Sequence, residues 1–458
     1  MKHFPGCILF HVDFSFFQWR HRKTTVVAAL MLLSCSVWSQ EFDAVKLDQY
    51  FDLLEENNKF MGSVAISQEG KLIYTRSVGY CDVTSESKAT AASRYRIGSI
   101  SKTFTAVLVF KAVTAGKLSL DQTLDGFFPE IPNAEIITIK QMLGNRSGIH
   151  NFTDDPAYVT YMTQKKTEAE MVEIIAKAGS DFEPDSKYQY SNSNFVLLTY
   201  ILEKNMGKPY PKLLEEFIIE PLGLTNTYVG QKIGTKDNEC KSYMYLDKWQ
   251  EHPETDMSVP VGAGAIVSNP TDIVKFSDAL FGGDLLDMEH VEAMKKITDG
   301  YGLGLFSFPF HERTSYGHTG GIDGFSSLFG HFDDGNVSFA LTSNGANMNT
   351  NDIAIAVLST VYNKPFELPK FNSYKVDPEQ MEVYVGNYTA PDFPLDMSIF
   401  IEDGMLKGRA TGQSAFTLDA VDEHQFEFVS AGIQIIFDPE EKAMLFKQRG
   451  VKVNFTKE

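Results

Sequence analysis

The stretch YRIGSISKTFTAVLVFKAV, residues 95–113, decides the fold because it joins a strand-like run to a long helix-forming run through Gly98. Ser99 and Lys102 stand three residues apart where the helix is predicted to begin, so their side chains would share one side of its first turn. A serine hydroxyl is a poor nucleophile until a base takes its proton, and a buried lysine with a lowered pKa is such a base. A serine helix cap followed by a surface lysine gives the same pattern, so this motif alone leaves both interpretations open.

Two further motifs follow, and each has an ordinary structural interpretation when taken alone. Tyr190 and Asn192 flank a serine just before an apolar, helix-forming run, where a phenol can relay a proton and an amide can orient a carbonyl. The stretch YGHTGGIDGFSSLFG, residues 316–330, places His318 at the start of a predicted strand rich in glycine. Glycine lets a substrate approach the main chain closely, although a tight turn and a glycine-rich turn are common without any catalytic role.

The order of the predicted elements indicates an α+β fold. Hairpins are predicted over residues 62–82 and 326–345, near the two ends of the first 363 residues. Helices are predicted between and after them, over residues 99–113, 167–179, 194–207, 210–223, 269–283 and 350–363. Strands at both ends predict one antiparallel sheet flanked by helices.

The composition of the sequence changes after residue 363. Residues 364–378 are rich in proline and polar residues and are predicted to be a linker. Residues 379–458 alternate apolar and polar positions between regularly spaced turns, which predicts a small all-β domain, a barrel or a sandwich. We therefore expect a main domain over residues 40–363 and a second, smaller domain over residues 379–458.

The N-terminus has the pattern of a secretory signal peptide. A basic cluster at residues 20–23 precedes an apolar run that ends in small residues at Ser39, which predicts removal of residues 1–39 and an exported, periplasmic or secreted protein. The apolar run is too short to span a bilayer comfortably. A retained membrane anchor, or a lipoprotein with a lipid on Cys35, is the alternative.

The composition excludes several classes of function. The net charge of −19 argues against nucleic acid or an anionic membrane surface as a partner, since both require positive patches. Beyond the leader only Cys81 and Cys240 remain, and the sequence does not decide whether they pair. Histidines are scattered without the spacing of a metal site, so we expect no metal and no cofactor, and a small molecule or a peptide as substrate.

Taken together and in order, the three motifs resemble the active-site set of the serine β-lactamases and penicillin-binding proteins, in the version of the class C β-lactamase, DD-peptidase and esterase superfamily. The resemblance runs from about residue 43 to residue 363. It is supported by the stretches at residues 137–149, 217–229, 261–276 and 301–306, and residues 379–458 resemble the small barrel-like domain appended to many such proteins. It implies a β-lactamase/transpeptidase-like antiparallel sheet flanked by helices.

The resemblance also implies a role for each motif residue. Ser99 would be the acylated nucleophile, Lys102 would share its proton, and Tyr190 would act as general base toward serine and later toward water. The remaining residues would bind the substrate or stabilise the oxyanion: Asn192, His318, Thr319 and Gly320 as the substrate-binding set, and the main-chain N–H groups of Ser99 and Gly321 as the oxyanion hole.

His318 stands where a lysine is more usual in the resembling proteins. A histidine is largely neutral at pH 7 and is a weaker anchor for a carboxylate, which penicillins and D-Ala-D-Ala peptides both carry. The sequence therefore favours a serine hydrolase of esters, amides or D-amino-acid peptides. A β-lactamase or DD-carboxypeptidase proper is one alternative, and a catalytically silent protein that binds cell-wall fragments is another.

Overall fold

The computed structural model describes residues 42–458 except residues 247, 372–375, 377, 392, 403, 414, 429–430 and 449–450. The predicted leader, including Cys35, lies outside the described residues. Among the helices that are described, none combines the length and the hydropathy needed to cross a bilayer. The α-helices are Ala44–Glu56, Ser101–Thr114, Ile139–Leu143, Tyr158–Tyr161, Glu168–Ala178, Asn192–Met206, Tyr210–Leu214, Glu220–Leu222, Pro270–Phe281, Met288–Lys295, Thr350–Val361 and Pro378–Met381.

A six-stranded antiparallel sheet lies at the centre of the part predicted as the first domain. The first and last parts of the domain meet in it, because Phe60–Gln68 pairs with Val337–Ala346. The predicted sheet built from both ends is therefore confirmed. Its strand order is Phe306–Phe310, Arg313–Ile322, Phe325–Phe332, Val337–Ala346, Phe60–Gln68 and Lys71–Val78. Shorter strands lie beside it: Tyr80–Asp82, Ser87–Lys88, Tyr95–Arg96, Tyr228–Val229, Tyr243–Tyr245, Trp249–Glu251 and Ile266–Ser268.

The two faces of this sheet pack into two different cores. Side chains alternate between faces along a strand, so Ala65 and Ala340 enter the larger core while Val64 and Leu341 enter the smaller one. The first and last helices of the domain, Ala44–Glu56 and Thr350–Val361, cover the smaller core. The larger core holds most of the remaining helices, and this helical side of the sheet contains the motif serine and lysine.

The helix Ser101–Thr114 runs through the middle of the larger core. It is apolar on nearly every side and almost wholly buried, as expected for a helix surrounded by protein. Phe104 stacks on Phe276 at 3.7 Å between ring centroids, which joins this helix to Pro270–Phe281. A helix fixed in this way holds its first turn rigidly against the sheet.

The predicted helices are present, and their boundaries differ by a few residues. The helix predicted over residues 99–113 begins at Ser101 and is preceded by a 3₁₀ turn over Gly98–Ile100. The helix predicted over residues 194–207 begins two residues earlier, at Asn192. The segment predicted as one helix over residues 210–223 contains a π-helical turn, Glu215–Ile219, between two short α-helices.

The C-terminal residues form one nine-stranded sheet that curls into a nearly closed barrel. Its two edge strands, Phe416–Thr417 and Asp419–Ala420, are separated in the chain by Leu418 alone, so the two edges of the sheet lie next to each other. The other strands are Gly386–Thr389, Met397–Glu402, Met405–Ala410, Gln425–Phe428, Ile433–Asp438, Ala443–Gln448 and Val451–Lys457. This sheet has its own hydrophobic core, which confirms the predicted all-β part.

Two connections stabilise the molecule outside these elements. Cys81 and Cys240 form a disulfide, which the sequence had left open. In the segment predicted as a linker, Phe366, Leu368 and Phe371 pack against the smaller core of the first domain. The first residues of that segment therefore belong to the packing of the main domain, while the domain boundary itself stays a prediction.

Candidate active site

The 3₁₀ turn at Gly98–Ile100 places Ser99 at the edge of the sheet. Gly98 has φ +50°, and a Cβ on it would lie 2.7 Å from the main-chain nitrogen of Gly321, so both backbone angle and space require glycine. Gly320 is equally constrained, since a Cβ there would lie 2.0 Å from the carbonyl oxygen of Ile97. These contacts bring the Gly321 main chain against the Ser99 turn, as a two-donor oxyanion hole requires.

Lys102 is completely buried, one turn from Ser99. Its Nζ lies 2.9 Å from Ser99 Oγ, 2.7 Å from Asn192 Oδ1 and 2.7 Å from the Ala263 carbonyl oxygen. Burial lowers the pKa of Lys102 well below its usual value. A neutral amine fits these partners, because it donates to the two carbonyl-type oxygens and turns its lone pair toward the Ser99 hydroxyl.

Tyr190 lies beside this pair, in the extended segment just before the helix Asn192–Met206. The Lys102 amine sits 4.9 Å from the centre of the Tyr190 ring. Burial raises the pKa of Tyr190, and its hydrogen bond with Ser99 acts in the opposite direction. A phenol that remains protonated is suited to passing a proton on. Its implied role as general base stays a prediction.

Asn192 is held from both ends of its side chain. Its Oδ1 accepts from Lys102, and its Nδ2 donates to Asn151 Oδ1 and Thr153 Oγ1, each at 3.1 Å. Asn151 Oδ1 also accepts from the Asn192 main-chain N–H at 2.9 Å. The amide orientation is therefore fixed, and with it the position of Lys102. Sequence reasoning missed Asn151 and Thr153, which lie just beyond the family-like stretch 137–149.

His318 is 1% exposed and uses both ring nitrogens within the protein. Its Nδ1 lies 2.5 Å from the Thr319 carbonyl oxygen, which can only accept, and its Nε2 lies 3.0 Å from the Tyr301 hydroxyl. Burial lowers the pKa of His318 to about 3. The ring is thus neutral at pH 7. In the same strand Thr319 and Gly321 are exposed and Gly320 is partly buried.

A cavity of about 370 Å³ opens beside Ser99. Asn192 and Gly321 lie at the catalytic end, and Tyr158, Met162, Ile322 and Phe325 supply apolar and aromatic surface. Among the described residues that line it there is no lysine or arginine; His252 lines it, as does Asp323, whose side chain is only 1% exposed. The cavity therefore offers a bound substrate carboxylate no lysine or arginine among these residues.

Behind Asp323 lies an ion cluster in which Arg96 and Asp323 are buried and Glu254 is partly exposed. Arg96 donates to Asp323 Oδ2 at 2.8 Å and to Glu254 Oε2 at 3.0 Å, so one positive charge faces two negative charges. Thr255 donates to Asp323 Oδ1 from both its main chain and its hydroxyl. Asp323 is 1% exposed and paired with Arg96, and Glu254, 28% exposed, does not line the cavity, so the cluster holds the Asp323 segment in place. The stretch GGIDG carries Asp323, but nothing in the sequence pairs it with Arg96.

Helices pack on an antiparallel sheet, and Ser99, buried Lys102 and Tyr190 lie where the two meet. This arrangement is that of a serine enzyme of the acyl-transfer type. The sequence pattern of the β-lactamase family matches residues 47–362. The chain belongs to that family.

Three relatives illustrate the similarity. A penicillin-binding protein of Bacillus subtilis is 24% identical over 424 residues, covering 85% of this chain and 93% of that protein. The teichoic acid D-alanine hydrolase of Staphylococcus aureus is 25% identical over 284 residues, covering 60% and 69%. The D-amino acid amidase of Ochrobactrum anthropi, solved with D-phenylalanine, is 28% identical with a TM-score of 0.61, covering 69% of this chain and 99% of that chain. The protein is a serine hydrolase of this family.

Proposed function

We propose that the protein is exported and hydrolyses esters, amides or peptides of D-amino acids through an acyl-enzyme on Ser99. The observation that carries the proposal is the contact of Ser99 with buried Lys102 beside a cavity whose described lining contains no lysine or arginine. Such a cavity gives a substrate carboxylate no lysine or arginine to pair with, whereas an acyl group without a carboxylate needs none. Two relatives, named as a D-amino acid amidase and a teichoic acid D-alanine hydrolase, support the same class of substrate.

Acylation would proceed with the groups as they stand in the site. Neutral Lys102 takes the proton of Ser99 while Oγ attacks the substrate carbonyl carbon. The N–H groups of Ser99 and Gly321 stabilise the resulting oxyanion. As the carbonyl forms again, the bond to the leaving group breaks, and the proton taken from Ser99 passes through Tyr190 to the departing amine or alcohol.

Deacylation would reverse these roles. A water molecule attacks the acyl carbon and gives its proton to the same pair, Lys102 and Tyr190. The second tetrahedral intermediate collapses with loss of Ser99 Oγ, which takes that proton back. The free acid leaves and Lys102 is neutral again, so the cycle balances without a cofactor.

The decisive experiment combines a covalent probe with a substrate panel. Purified protein is treated with a fluorophosphonate and then assayed with D- and L-alanine 4-nitroanilide, 4-nitrophenyl acetate and a chromogenic cephalosporin. We expect labelling of the wild type and of the exposed-serine control Ser186→Ala, no labelling of Ser99→Ala, and faster release from the D- than from the L-anilide. Fast cephalosporin turnover with little other activity would support a β-lactamase proper, and an unlabelled wild type would support a silent binding protein.

The disulfide supports export as part of this proposal. Disulfides persist mainly in oxidising compartments, and Cys81–Cys240 is buried in the fold. Expression with the native N-terminus in a bacterial host, followed by fractionation and mass spectrometry, tests it. We expect an exported chain that begins at Gln40. A chain in the cytoplasm with residues 1–39 intact would contradict export, and a lipid on Cys35 would show the anchored form.

A further inference from the structure

The side-chain amide of Asn151 has a single orientation that satisfies its neighbours. Its Oδ1 accepts from the main-chain N–H of Asn192 at 2.9 Å, and a main-chain N–H can only donate. Its Nδ2 lies 2.8 Å from Asp154 Oδ1, and an ionised carboxylate can only accept. Exchanging the oxygen and nitrogen of Asn151 would place donor against donor at one end and acceptor against acceptor at the other.

The orientation of Asn151 determines that of Asn192. Because Asn151 Oδ1 is an acceptor, the Asn192 atom 3.1 Å from it is Nδ2, and Asn192 Oδ1 then faces the Lys102 amine. The second hydrogen on Asn192 Nδ2 is donated to Thr153 Oγ1, also at 3.1 Å. The Asn192 side chain therefore uses both of its N–H groups within the protein, and it has no further hydrogen to give to a substrate.

The hydroxyl of Thr153 has the opposite balance. Its Oγ1 accepts from Asn192 Nδ2 and, at 2.8 Å, from Asn151 Nδ2. A hydroxyl has two lone pairs and one hydrogen, so these two bonds occupy both lone pairs. Both hydrogen bonds of this hydroxyl in the described part of the chain are bonds that it accepts, so its own hydrogen has no acceptor there. Thr153 is partly exposed and lines the cavity beside Ser99, where that hydrogen is available to a ligand.

The position of Thr153 indicates which part of a substrate it meets. Contacts run from Ser99 Oγ to Lys102 Nζ, from Nζ to Asn192 Oδ1, and from Asn192 Nδ2 to Thr153 Oγ1. Two side chains therefore separate the Thr153 hydroxyl from the nucleophile, although both residues line one cavity. The reacting carbonyl is assigned to the N–H groups of Ser99 and Gly321. The acceptor for Thr153 thus belongs to a part of the acyl group farther from Ser99.

We propose that Thr153 is a specificity-determining residue that donates its hydroxyl hydrogen to a second carbonyl oxygen of the acyl group, so that the enzyme prefers N-acylated D-amino acids, as in a peptide chain, to D-amino acids with a free amine. An ammonium group has no lone pair and cannot accept this bond, whereas the carbonyl oxygen of an N-acyl group can. The inference rests on the proposed function, because it specifies which D-amino-acid derivatives are preferred.

The kinetic test compares three anilides that share one leaving group: N-acetyl-D-alanine 4-nitroanilide, its N-thioacetyl analogue and D-alanine 4-nitroanilide. The thioacetyl compound replaces the accepting oxygen by sulfur, a weaker acceptor. In the wild type we expect kcat/KM to be highest for the N-acetyl substrate. Thr153→Val keeps the shape of the side chain without its hydroxyl, and the N-acetyl substrate should lose about tenfold relative to the other two, as expected for one hydrogen bond.

The ratio between substrates separates contact with the substrate from a structural role. Thr153 also accepts from Asn192, so its loss can disturb Lys102, but that effect lowers kcat/KM for all three substrates and leaves their ratio unchanged. Thr153→Ser keeps the hydroxyl and should restore the wild-type ratio. Thr163→Val is the matched control, because Thr163 is exposed and is not among the residues that line the cavity.

A second measurement records binding without turnover. In the Ser99→Ala background, which cannot form an acyl-enzyme, NMR titration gives the dissociation constants of N-acetyl-D-alaninamide and D-alaninamide. We expect Thr153→Val to weaken binding of the first by about tenfold and to leave the second unchanged. An unchanged substrate ratio together with unchanged affinity in Thr153→Val would overturn the inference. Absence of anilide hydrolysis with the difference in affinity intact would instead contradict the proposed function and support the Thr153 contact.

Discussion

At the scale of single residues, the defining feature is a lysine amine in a site without a counter-charge. Three neutral oxygens surround the Lys102 amine, and among the contacts described for it no carboxylate takes part. Removing an ammonium group from water is costly unless an anion replaces the solvent, so the neutral form is favoured. The protein therefore maintains a free base at neutral pH at a cost to its own stability.

This cost predicts a pH-dependent stability. The folded-state pKa of Lys102 is lowered, so above that pKa and below about 10 the unfolded chain binds one proton more than the folded chain. The stability of the wild type relative to Lys102→Met should then rise with pH by about 1.4 kcal/mol per unit in that interval. Urea unfolding at pH 7, 8 and 9 measures it, with Lys117→Met, at an exposed lysine, as the control. A difference independent of pH would contradict a neutral Lys102.

Lys102 should also determine the pH below which activity is lost, because it must be neutral to act as the base. Asn151 contacts Asn192, which contacts Lys102, so Asn151→Asp places a carboxylate one residue away from the amine, at the cost of the hydrogen bond that Asn151 Nδ2 donates to Asp154 Oδ1. A nearby negative charge favours the ammonium form, so the Lys102 pKa rises, and the rate is lost at a higher pH, by about one unit. The dependence of kcat/KM on pH measures the shift. The control is Asn205→Asp, near the far end of the helix Asn192–Met206. If the acidic side of the kcat/KM profile does not shift in Asn151→Asp, a group other than Lys102 is titrating there.

At the scale of elements, the positions of glycines explain what periodicity could predict and what it could not. Apolar spacing predicted the helix that follows Ser99, but the 3₁₀ turn before it depends on the approach of Gly98 to Gly321, which are far apart in the chain. The helix expected at residue 194 begins at Asn192 because the Asn192 N–H bonds to Asn151. Tertiary contacts of this kind leave no local pattern.

The contact of Gly320 with the Ser99 turn gives a sharp test of this geometry. A Cβ at Gly320 would meet Ile97 O at 2.0 Å and Ser327 Oγ at 2.4 Å, so the strand must move away from the turn. Gly320→Ala should lose about 1–3 kcal/mol of stability through overpacking. Since the Gly321 donor moves too, fluorophosphonate labelling should slow by about a hundredfold.

Gly126→Ala controls for the loss of a glycine, because nothing lies within 4 Å of the Cβ that it would add. That control should match the wild type in both thermal unfolding and labelling rate. Labelling of Gly320→Ala at the wild-type rate would show that the oxyanion donors do not depend on this contact.

At the scale of the whole molecule, the sequence located the two parts but not the place where they separate. Alternation predicted the C-terminal strands, and the Pro-rich composition predicted a linker from residue 364. Phe366 and Phe371 nevertheless pack on the core beneath the first and last helices of the main domain. Composition records local preference, whereas these side chains are held by partners several hundred residues away, such as Tyr50, 6.0 Å from Phe366 between ring centroids.

Two truncated chains test whether the main part of the fold ends at residue 363 or at residue 371. A chain of residues 40–371 keeps the aromatic side chains on the smaller core, and it should unfold cooperatively and accept the probe at Ser99. A chain of residues 40–363 exposes that surface, and it should lose about 2 kcal/mol of stability, since two partly buried aromatic side chains are removed from the core. Thermal unfolding and probe labelling compare them. Equal stability of the two chains would show that the packing of residues 366–371 contributes nothing.

The residues of the candidate site also divide into those that the sequence predicted and those that it missed. Ser99, Lys102, Tyr190, Asn192 and His318 were found because their motifs are short, and the structure brings them together. Tyr301, Asn151 and Asp323 were missed, since each acts through a residue that is distant in the chain. A motif search detects groups that react, and it overlooks the neighbours that set their charge.

The Cys81–Cys240 bond makes a covalent ring of the chain between these residues. Ser99, Lys102, Tyr190 and Asn192 all lie within that ring, whereas His318 and Gly321 lie on the strand outside it. A single cut by an added protease in an exposed loop of the ring, for example at residues 163–165, would break the main chain without releasing a fragment. The nicked protein would run as one species on a non-reducing gel and as two after reduction, with the nucleophile and its base still tethered to one scaffold.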